Sequence, residues 1–186
     1  MAKQTLILKR KQEQQDAGTI LGAQELLFLD EEDGNLLSDI HFKEKVVRLI
    51  RKIKPDYIFT HDPSWYYTQR PDGTAAVNHT DHRACGAAVL DAVYPLARDL
   101  QSFPHHMEEG LQPHIVPELY LFNFNDPTFA FDVTDHVQTK INAILAHSSQ
   151  IDHPQEITEW ASTRAQELGQ KHGFAEAEGF TRLVFS

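Results

Sequence analysis

The sequence predicts an α/β fold in which a mostly parallel sheet is flanked by helices. Short apolar runs that are typical of buried strands occur at residues 25–29, 57–60, 118–124 and 129–133. Segments with helical periodicity separate several of these runs, and strands that alternate with helices favour parallel pairing. Because no internal repeat and no linker-like segment interrupts the pattern, it predicts a single domain over residues 1–186.

The first elements follow from periodicity and from residues that end helices. A helical pattern runs from about Lys3 to Leu21 and ends at Gly22, because glycine readily adopts the left-handed conformation that follows a helix. The apolar run at residues 25–29 is typical of a buried strand, and the acidic residues 30–34 form a turn after it.

The second helix is predicted over residues 40–53 and is amphipathic. Its polar face carries Glu44, Arg48 and Arg51, which we expect to lie in solvent. Glu44 and Arg48 also have the spacing and the order of an i,i+4 ion pair. Pro55 ends the helix, since proline cannot continue the backbone hydrogen bonding.

The rest of the chain alternates loops, strands and helices. Residues 64–77 are polar, aromatic and rich in turn formers, and we expect an irregular connection there. The pair His105 and His106 lies in a proline-bounded loop that we place at the surface. Three further helices are predicted, one that begins near Asn78, one capped by Thr134 or Asp135 that reaches His147, and one over residues 155–172.

The most informative motif is Asn78-His79-Thr80-Asp81-His82, which leads directly into a helical pattern. With Asn78 as the N-cap, His79 and His82 project from one face of the first turn. The positive end of the helix dipole disfavours protonation of a histidine there, and a neutral imidazole is what a metal ligand must be. Asp81 could orient one imidazole. The motif follows a strand end, where ligands of open α/β sheets bind.

Composition excludes several classes of function. A net charge of −10 argues against nucleic acid or an anionic membrane as the main partner. No apolar run is long enough to span a bilayer and the first residues do not form a signal peptide, so we expect a cytoplasmic protein. The one cysteine, Cys85, excludes an intramolecular disulfide, and we expect it to be a packed core thiol.

Several fragments together resemble one family, the PIG-L/LmbE-like metal-dependent de-N-acetylases. They occur in the family's order and extend over nearly the whole chain, which makes them specific as a set although each is short. The fragments are Arg10 with Glu13-Gln14 before Ile20-Leu21-Gly22, Phe28-Leu29 with Asp33-Gly34, Lys54-Pro55-Asp56 into Thr60-His61-Asp62-Pro63, Asn78 to Arg83, Asp132-Val133-Thr134, Lys140 with Ala146 to Gln150, and Ala175-Glu176 with Phe180.

The resemblance implies a Rossmann-like fold, a zinc ion and hydrolysis of an N-acetyl group on an N-acetylglucosamine-type conjugate. In this family pattern His82 matches a zinc ligand, while His79 stabilises the oxyanion or protonates the leaving amine and is oriented by Asp81. Arg10 and Asp33 match positions that contact the sugar or its aglycone.

Two further residues are candidates for the substrate cleft. Asp62 follows the predicted strand at residues 57–60 and faces the expected pocket, which gives it a substrate-binding or supporting role. His147 lies in a His-Ser-Ser-Gln sequence at a helix end, and the resemblance favours a place in the cleft for it.

One departure from the family pattern weighs against activity. The family opens with a strand that leads into an Ala-His-Pro-Asp-Asp motif, whose His and second Asp bind zinc and whose first Asp is the general base. This sequence has no such motif, and we expect the first strand–helix–strand unit of the fold to be missing. A catalytic zinc needs three protein ligands, and His82 alone supplies one. We therefore expect negligible deacetylase activity from these 186 residues.

Three origins of that departure stay open: a start site placed too far downstream, a fragment of a complete enzyme, or a degenerate relative. We favour the first, because the other matching positions are all present.

The main alternative function is a non-catalytic sugar-binding or assembly protein derived from the deacetylase fold. A second alternative is a different metal hydrolase that uses Asp62 with the two histidines. The aglycone of the substrate is not predicted; an oligomer of this chain is consistent with the family.

Overall fold

The computed structural model describes residues 3–69, 72–122 and 127–185, which form two compact units. The first, which we call the helical unit, consists of Met1–Phe28 and Ala130–Glu178. The second, the sheet unit, consists of Leu29–Phe129 and Gly179–Ser186.

Among the described residues, the sheet unit contains three helices and most of the strands. Helix α2 (Ile40–Ile53) leads into β1 (Tyr57–His61), and a hairpin of β2 (Tyr67–Gln69) and β3 (Ala75–Val77) precedes α3 (Thr80–Asp91). After a kinked segment at Ala92–Leu96, in which Tyr94 has an extended backbone (φ −142°, ψ 118°), come the short α4 (His105–Glu108) and β4 (Glu118–Phe122). Strands β5 (Phe129–Asp132) and β6 (Ala177–Val184) complete the sheet, and each has residues in both units.

The central sheet has the strand order β1-β4-β6-β5. Strands β1 and β4 are parallel, with Tyr57 opposite Glu118 and His61 opposite Phe122. Strand β6 joins the other side of β4 in antiparallel register. The predicted α/β class, a central sheet with helices, is therefore confirmed.

Helices α2 and α3 pack on this sheet through small and branched apolar side chains. Val47, Ala88 and Leu119 are fully buried in a core that α2, α3 and β4 share. At approximately 25 cal/mol per Å² of apolar surface removed from water, burial of this kind is the main favourable term that holds the layers together. Cys85 packs against the same core, and burial raises the pKa of its thiol, so the expectation of a packed thiol agrees with the structure.

Gly86 brings α3 into direct contact with the end of β1. A Cβ atom at this position would lie 2.2 Å from the carbonyl oxygen of His61 and 3.1 Å from Cδ of Pro63. Only glycine permits this approach, because any larger residue would collide with backbone that cannot move aside. The start of α3 is thereby held beside the carboxyl end of β1.

The helical unit contains the long α1 (Lys3–Ile20), α5 (Val137–Leu145) and α6 (Pro154–His172). A 3-10 turn at Ser148–Gln150 connects the last two. The core of this unit lies between α5 and α6, where Val137, Ile141, Ala161 and Ala165 are buried together. Gly22 has φ of +71°, as the predicted end of the first helix requires.

Two local predictions are wrong. The apolar run at residues 25–29 is not a strand: a strand needs a neighbouring strand for its hydrogen bonds, and none of the described residues pairs with this segment. Residues 64–77 are not wholly irregular, because β2 and β3 pair there as a hairpin. The predicted strand at residues 118–124 ends at Phe122, and its last two positions lie outside the described residues.

The polar face of α2 is also less exposed than its pattern predicts. The i,i+4 pair of Glu44 and Arg48 forms, with 3.4 Å between nitrogen and oxygen. Arg51, expected in solvent, is 1% exposed, and His106, expected at the surface, is 0% exposed. The Arg51 guanidinium donates to backbone carbonyls of the segment after α3, among them those of Leu96 and Ala97. These hydrogen bonds compensate the cost of burying its charge, a compensation that periodicity cannot reveal.

Replacement of Gly86 by Ala tests the contact between α3 and β1. Alanine favours a helix over glycine by about 1 kcal/mol, but the collision with the His61 carbonyl costs more. We expect Gly86→Ala to destabilise the protein by about 1–3 kcal/mol in urea denaturation at pH 7. Gly18→Ala in α1 is the matched control, because its Cβ meets only the flexible side chain of Leu26. Equal stability of the two variants would contradict the contact.

Candidate active site

The first turn of α3 carries the motif residues, but His79 and not Asn78 caps the helix. The Nδ1 atom of His79 accepts a hydrogen bond from the Asp81 backbone N–H at 3.2 Å. Asn78 is buried, and its side chain donates to the carbonyl oxygen of Trp65 at 2.9 Å, so it is not available as a cap. Since Nδ1 accepts, a neutral His79 carries its proton on Nε2.

His61, at the end of β1, lies against His82. The two rings are parallel within 3°, with centroids 4.0 Å apart, and the His79 ring lies 5.4 Å from that of His82. Burial, with a smaller contribution from His82, lowers the pKa of His61 to about 4. Burial and the neighbouring His79 also lower the pKa of His82. His61 is therefore neutral at pH 7, and its apolar face supports the His82 ring.

Asp81 joins the start of α3 to the acidic loop that precedes α2. Its Oδ2 accepts from the Gly34 N–H at 2.6 Å and its Oδ1 from the Leu36 N–H at 3.3 Å. One potential metal-ligand atom from each of Asp33, His79 and Asp81 lies within 4.8 Å of the other two. The structure thus brings together three predicted site residues, although His79 and Asp81 lie 46 and 48 positions after Asp33 in the chain.

Asp62 has a different setting from the one we predicted for a cleft residue. It is 4% exposed, and its Oδ1 accepts from both the N–H and the hydroxyl of Ser64 at 2.8 and 2.5 Å. These are the hydrogen bonds of an Asx turn, which shapes the chain just after β1. Its substrate-binding role stays a prediction.

Arg10 and His147 belong to the helical unit. Arg10 is an exposed residue of α1. His147 immediately precedes the 3-10 turn and lines a cleft of about 530 Å³ together with Gln14, Lys140 and Gln150. Side chains of Ala17, Leu21, Ala143, Ile144 and Ile151 form the apolar part of this cleft. A cleft of this size is large enough for a small ligand.

Glu13 fixes the turn that follows His147. Its carboxylate is 5% exposed and accepts from the Ser148 hydroxyl, the Ser149 N–H and the Ser149 hydroxyl at 3.0, 2.7 and 2.6 Å. These hydrogen bonds, that to the Ser149 hydroxyl above all, hold the pKa of Glu13 below its ordinary value of 4.5. Two fragments 135 residues apart in the sequence are therefore in contact.

A second histidine–carboxylate group lies between α2 and α4. Oε1 of Glu44 is 2.8 Å from Nε2 of His105 and 3.4 Å from Nε2 of His106. Arg51 approaches the other ring nitrogen of His106, Nδ1, at 3.3 Å, and a guanidinium can only donate. The proton of neutral His106 therefore lies on Nε2, toward Glu44. A nitrogen in that state has no lone pair for a metal, and the nearby Arg48 also disfavours a cation.

The described residues do not fit a three-ligand zinc centre around His82. They contain two groups of three potential metal ligands within 4.8 Å, and His82 belongs to neither. The stacked ring of His61 cannot complete the site, because lone pairs of parallel rings lie in separate planes and do not converge on one ion. In the group of Asp33, His79 and Asp81, both Asp81 oxygens already accept backbone N–H groups.

Three contacts of these candidate sites were not predicted: His61 on His82, Glu13 on Ser148 and Ser149, and Glu44 with the buried His106. The sequence did mark both sides of the Glu13 contact, since Glu13-Gln14 and the segment from Ala146 to Gln150 belong to the family pattern. A pattern match, however, does not say which fragments are in contact. For His61, its position at a strand end beside the histidine motif was the available signal.

Comparison with known proteins identifies the family. The pattern described as "PIG-L: GlcNAc-PI de-N-acetylase" matches residues 1–93, half of the 186-residue chain. The chain belongs to the PIG-L family. Its resemblance to that family, inferred from short fragments, is thereby confirmed.

Among the similar PIG-L relatives is diacetylchitobiose deacetylase of Thermococcus kodakarensis, 27% identical over 94% of this chain and 62% of the relative. The solved structure of N,N'-diacetylchitobiose deacetylase from Pyrococcus horikoshii matches with a TM-score of 0.81 and 25% identity, over 95% of this chain and 64% of that one. This chain thus spans less than two thirds of the length of these two deacetylases.

A second solved structure with this fold belongs to an enzyme of a different reaction. The 4-carboxy-2-hydroxymuconate hydratase of Pseudomonas putida matches with a TM-score of 0.76 at 19% identity, over 100% of this chain and 75% of that one. This similarity supports the fold alone.

In the described part of the chain, no helix is both long enough and apolar enough to cross a membrane.

Replacement of Glu13 by Gln tests the turn beside His147. Because the folded pKa of Glu13 lies below 4.5, its carboxylate stabilises the protein above that pH, and this contribution is lost as the pH falls. We expect Glu13→Gln to lower the thermal midpoint by several degrees at pH 7 and by less at pH 3, because the contribution of the carboxylate declines below pH 4.5.

Glu156→Gln is the control for this experiment, because its side chain in the same unit is 77% exposed. It should change the midpoint little at either pH. A Glu13→Gln effect that does not diminish between pH 7 and pH 3 would show that the charge of Glu13 does not matter.

Proposed function

We propose that this chain is part of a hydrolase that removes the N-acetyl group from an N-acetylglucosamine-type conjugate. Its membership of the PIG-L family supports the reaction class, and the names of the Thermococcus and Pyrococcus relatives support an N-acetylated amino sugar as substrate. The observation that carries the proposal is the arrangement of His79 at the cap of α3, with Asp33 and Asp81 beside it.

His79 is suited to stabilise an oxyanion. Its Nδ1 is occupied by the Asp81 N–H, so its Nε2–H is the hydrogen-bond donor that the ring offers to a ligand. Attack of water on the acetamide carbonyl places negative charge on the carbonyl oxygen, and a donor already held in place stabilises that charge. The N-terminus of α3 adds a favourable dipole at the same place.

The surrounding carboxylates suit the other product of the reaction. Hydrolysis leaves a free amine on the sugar, which is protonated at neutral pH. Asp33 is exposed and lies beside His79, so its carboxylate can accept hydrogen bonds from sugar hydroxyls or from this ammonium group. Arg10, Asp62 and His147 stay candidates for substrate contacts, and His82 stays the candidate metal ligand.

A zinc ion bound by the whole protein would supply a water molecule of lowered pKa as the nucleophile. In this proposal His82 is one of its ligands, and the others come from outside the described residues, since these do not surround His82 with further donors. The 186 residues by themselves would then bind an N-acetylated sugar without turning it over. A cytoplasmic location and an oligomer of this chain stay predictions.

A non-catalytic sugar-binding or assembly protein is the second candidate function, and the lack of two further donors around His82 in the described residues favours it. The two functions differ in their response to metal. Sugar binding by the whole protein that is unaffected by chelator, with no amine release at any zinc concentration, would support the non-catalytic role.

The first activity prediction concerns the chain alone. The purified 186-residue protein should release no detectable amine from N,N'-diacetylchitobiose, with or without added zinc chloride. The measurement is fluorescent labelling of the amine product, with a diacetylchitobiose deacetylase as the positive control. Robust zinc-dependent turnover would show that the 186 residues suffice for the metal site.

The second activity prediction concerns the role of His79 in catalysis. In a longer form of the protein that carries the regions its relatives have and this chain does not span, His79→Ala should lower kcat by about 10²–10³-fold with little change in KM. This split is expected because the donor acts on charge that develops only in the transition state. His153→Ala, at a side chain that is 73% exposed, is the control. A large increase in KM with unchanged kcat would assign His79 to substrate binding instead.

A further inference from the structure

The carboxylate of Asp81 is bound by the loop before α2 and not by the imidazole of His79. Its two oxygens accept the N–H groups of Gly34 and Leu36 at 2.6 and 3.3 Å. The distance from Oδ2 to Nδ1 of His79 is 3.9 Å, too long for a hydrogen bond. Moreover, Nδ1 of His79 already accepts the backbone N–H of Asp81, so it has no proton to give to the carboxylate.

The two hydrogen bonds hold the loop beside Asp81 although both carry negative charge. Residues 30–33 are all acidic, and Asp33 is held with its carboxylate near that of Asp81, where like charges repel. Gly34 has φ of +84°, a conformation in which the chain turns sharply after Asp33. The charge-assisted hydrogen bond from the Gly34 N–H is short and directional, and it fixes the turn itself. The longer bond from the Leu36 N–H, at 3.3 Å, holds the chain just after the turn.

We propose that Asp81 is a positioning residue, whose carboxylate holds the loop of residues 33–36 so that Asp33 lies beside His79. The role is distinct from the orientation of His79, which the backbone of Asp81 performs through its N–H. It rests on the proposed function in one respect, namely that Asp33 contacts the N-acetylated sugar. Asp81 therefore determines sugar affinity through Asp33, without contact of its own.

The test is the Asp81→Asn variant of the 186-residue chain. An amide side chain keeps the size of Asp81 but presents an NH₂ group to one of the two backbone N–H donors, so one hydrogen bond is lost. We expect hydrogen exchange at the Gly34 and Leu36 amides, measured by ¹⁵N NMR, to accelerate about tenfold or more. Binding of N,N'-diacetylchitobiose, measured by calorimetry, should weaken about tenfold.

Two variants serve as controls. Asp91→Asn removes a carboxylate from the other end of α3, where it pairs with Lys43 at 2.8 Å, and should change neither readout. Asp33→Asn should weaken sugar binding but leave exchange at Gly34 and Leu36 unchanged. If Asp81 only stabilised the helix, Asp81→Asn would accelerate exchange along α3, for instance at Ala88, and leave the two loop amides unaffected. That result overturns the proposal.

The failures of the two proposals are distinguishable. If the unaltered chain does not bind the disaccharide, the proposed function of Asp33 fails, and the loop amides alone decide the role of Asp81. If the chain binds but Asp81→Asn leaves affinity and both amides unchanged, the positioning role fails. Should Asp81→Asn not fold, Asp81→Glu keeps the charge while displacing the oxygens by one methylene, and faster exchange at Gly34 and Leu36 is again the expected result.

Discussion

The site depends on one contact, the approach of α3 to the backbone at the end of β1. Gly86 permits this approach, since a Cβ atom there would lie 2.2 Å from the His61 carbonyl oxygen. Once the helix is seated, His82 lies on the ring of His61 and the first turn of α3 stands at the carboxyl end of the strand. Asp81 then reaches the loop before α2. A displacement of α3 by the width of a methyl group would disturb all of these contacts together.

The same fold carries different reactions in its relatives, so the sheet does not determine the chemistry. The Pseudomonas hydratase and the Pyrococcus deacetylase both have solved structures whose fold is similar to that of this chain. The proposed hydrolysis of an acetamide rests on the local arrangement at α3, where an imidazole caps the helix N-terminus and can present its Nε2–H to a ligand. Two neighbouring imidazoles with lowered pKa values keep this region free of additional positive charge near neutral pH.

Periodicity predicted the helices and strands whose ends are defined by nearby residues. It was less successful where strand pairing or burial depends on residues far away in the sequence. Helix α2 begins and ends at the predicted residues, because an apolar face and Pro55 define it locally. The segment at residues 25–29 has strand composition but no strand partner among the described residues, and composition does not report pairing. Arg51 and His106 are charged or polar by type, yet long-range hydrogen bonds let both be buried.

The candidate site was predicted only in part, because some of its contacts also join residues that are far apart in the sequence. The histidine motif showed that His79 and His82 share a turn, but the cap was assigned to Asn78, whose side chain is committed to the carbonyl of Trp65. The contact of Asp81 with Gly34 joins residues 47 positions apart, which no local pattern contains.

The most direct test of this account is the tautomer of neutral His79, observed in long-range ¹H–¹⁵N NMR spectra of the 186-residue chain above pH 8. The account predicts a proton on Nε2 and an unprotonated Nδ1 that accepts the Asp81 N–H, the state in which His79 can donate to an oxyanion. A proton on Nδ1 would contradict it, because His79 would then neither cap α3 nor present a donor on Nε2.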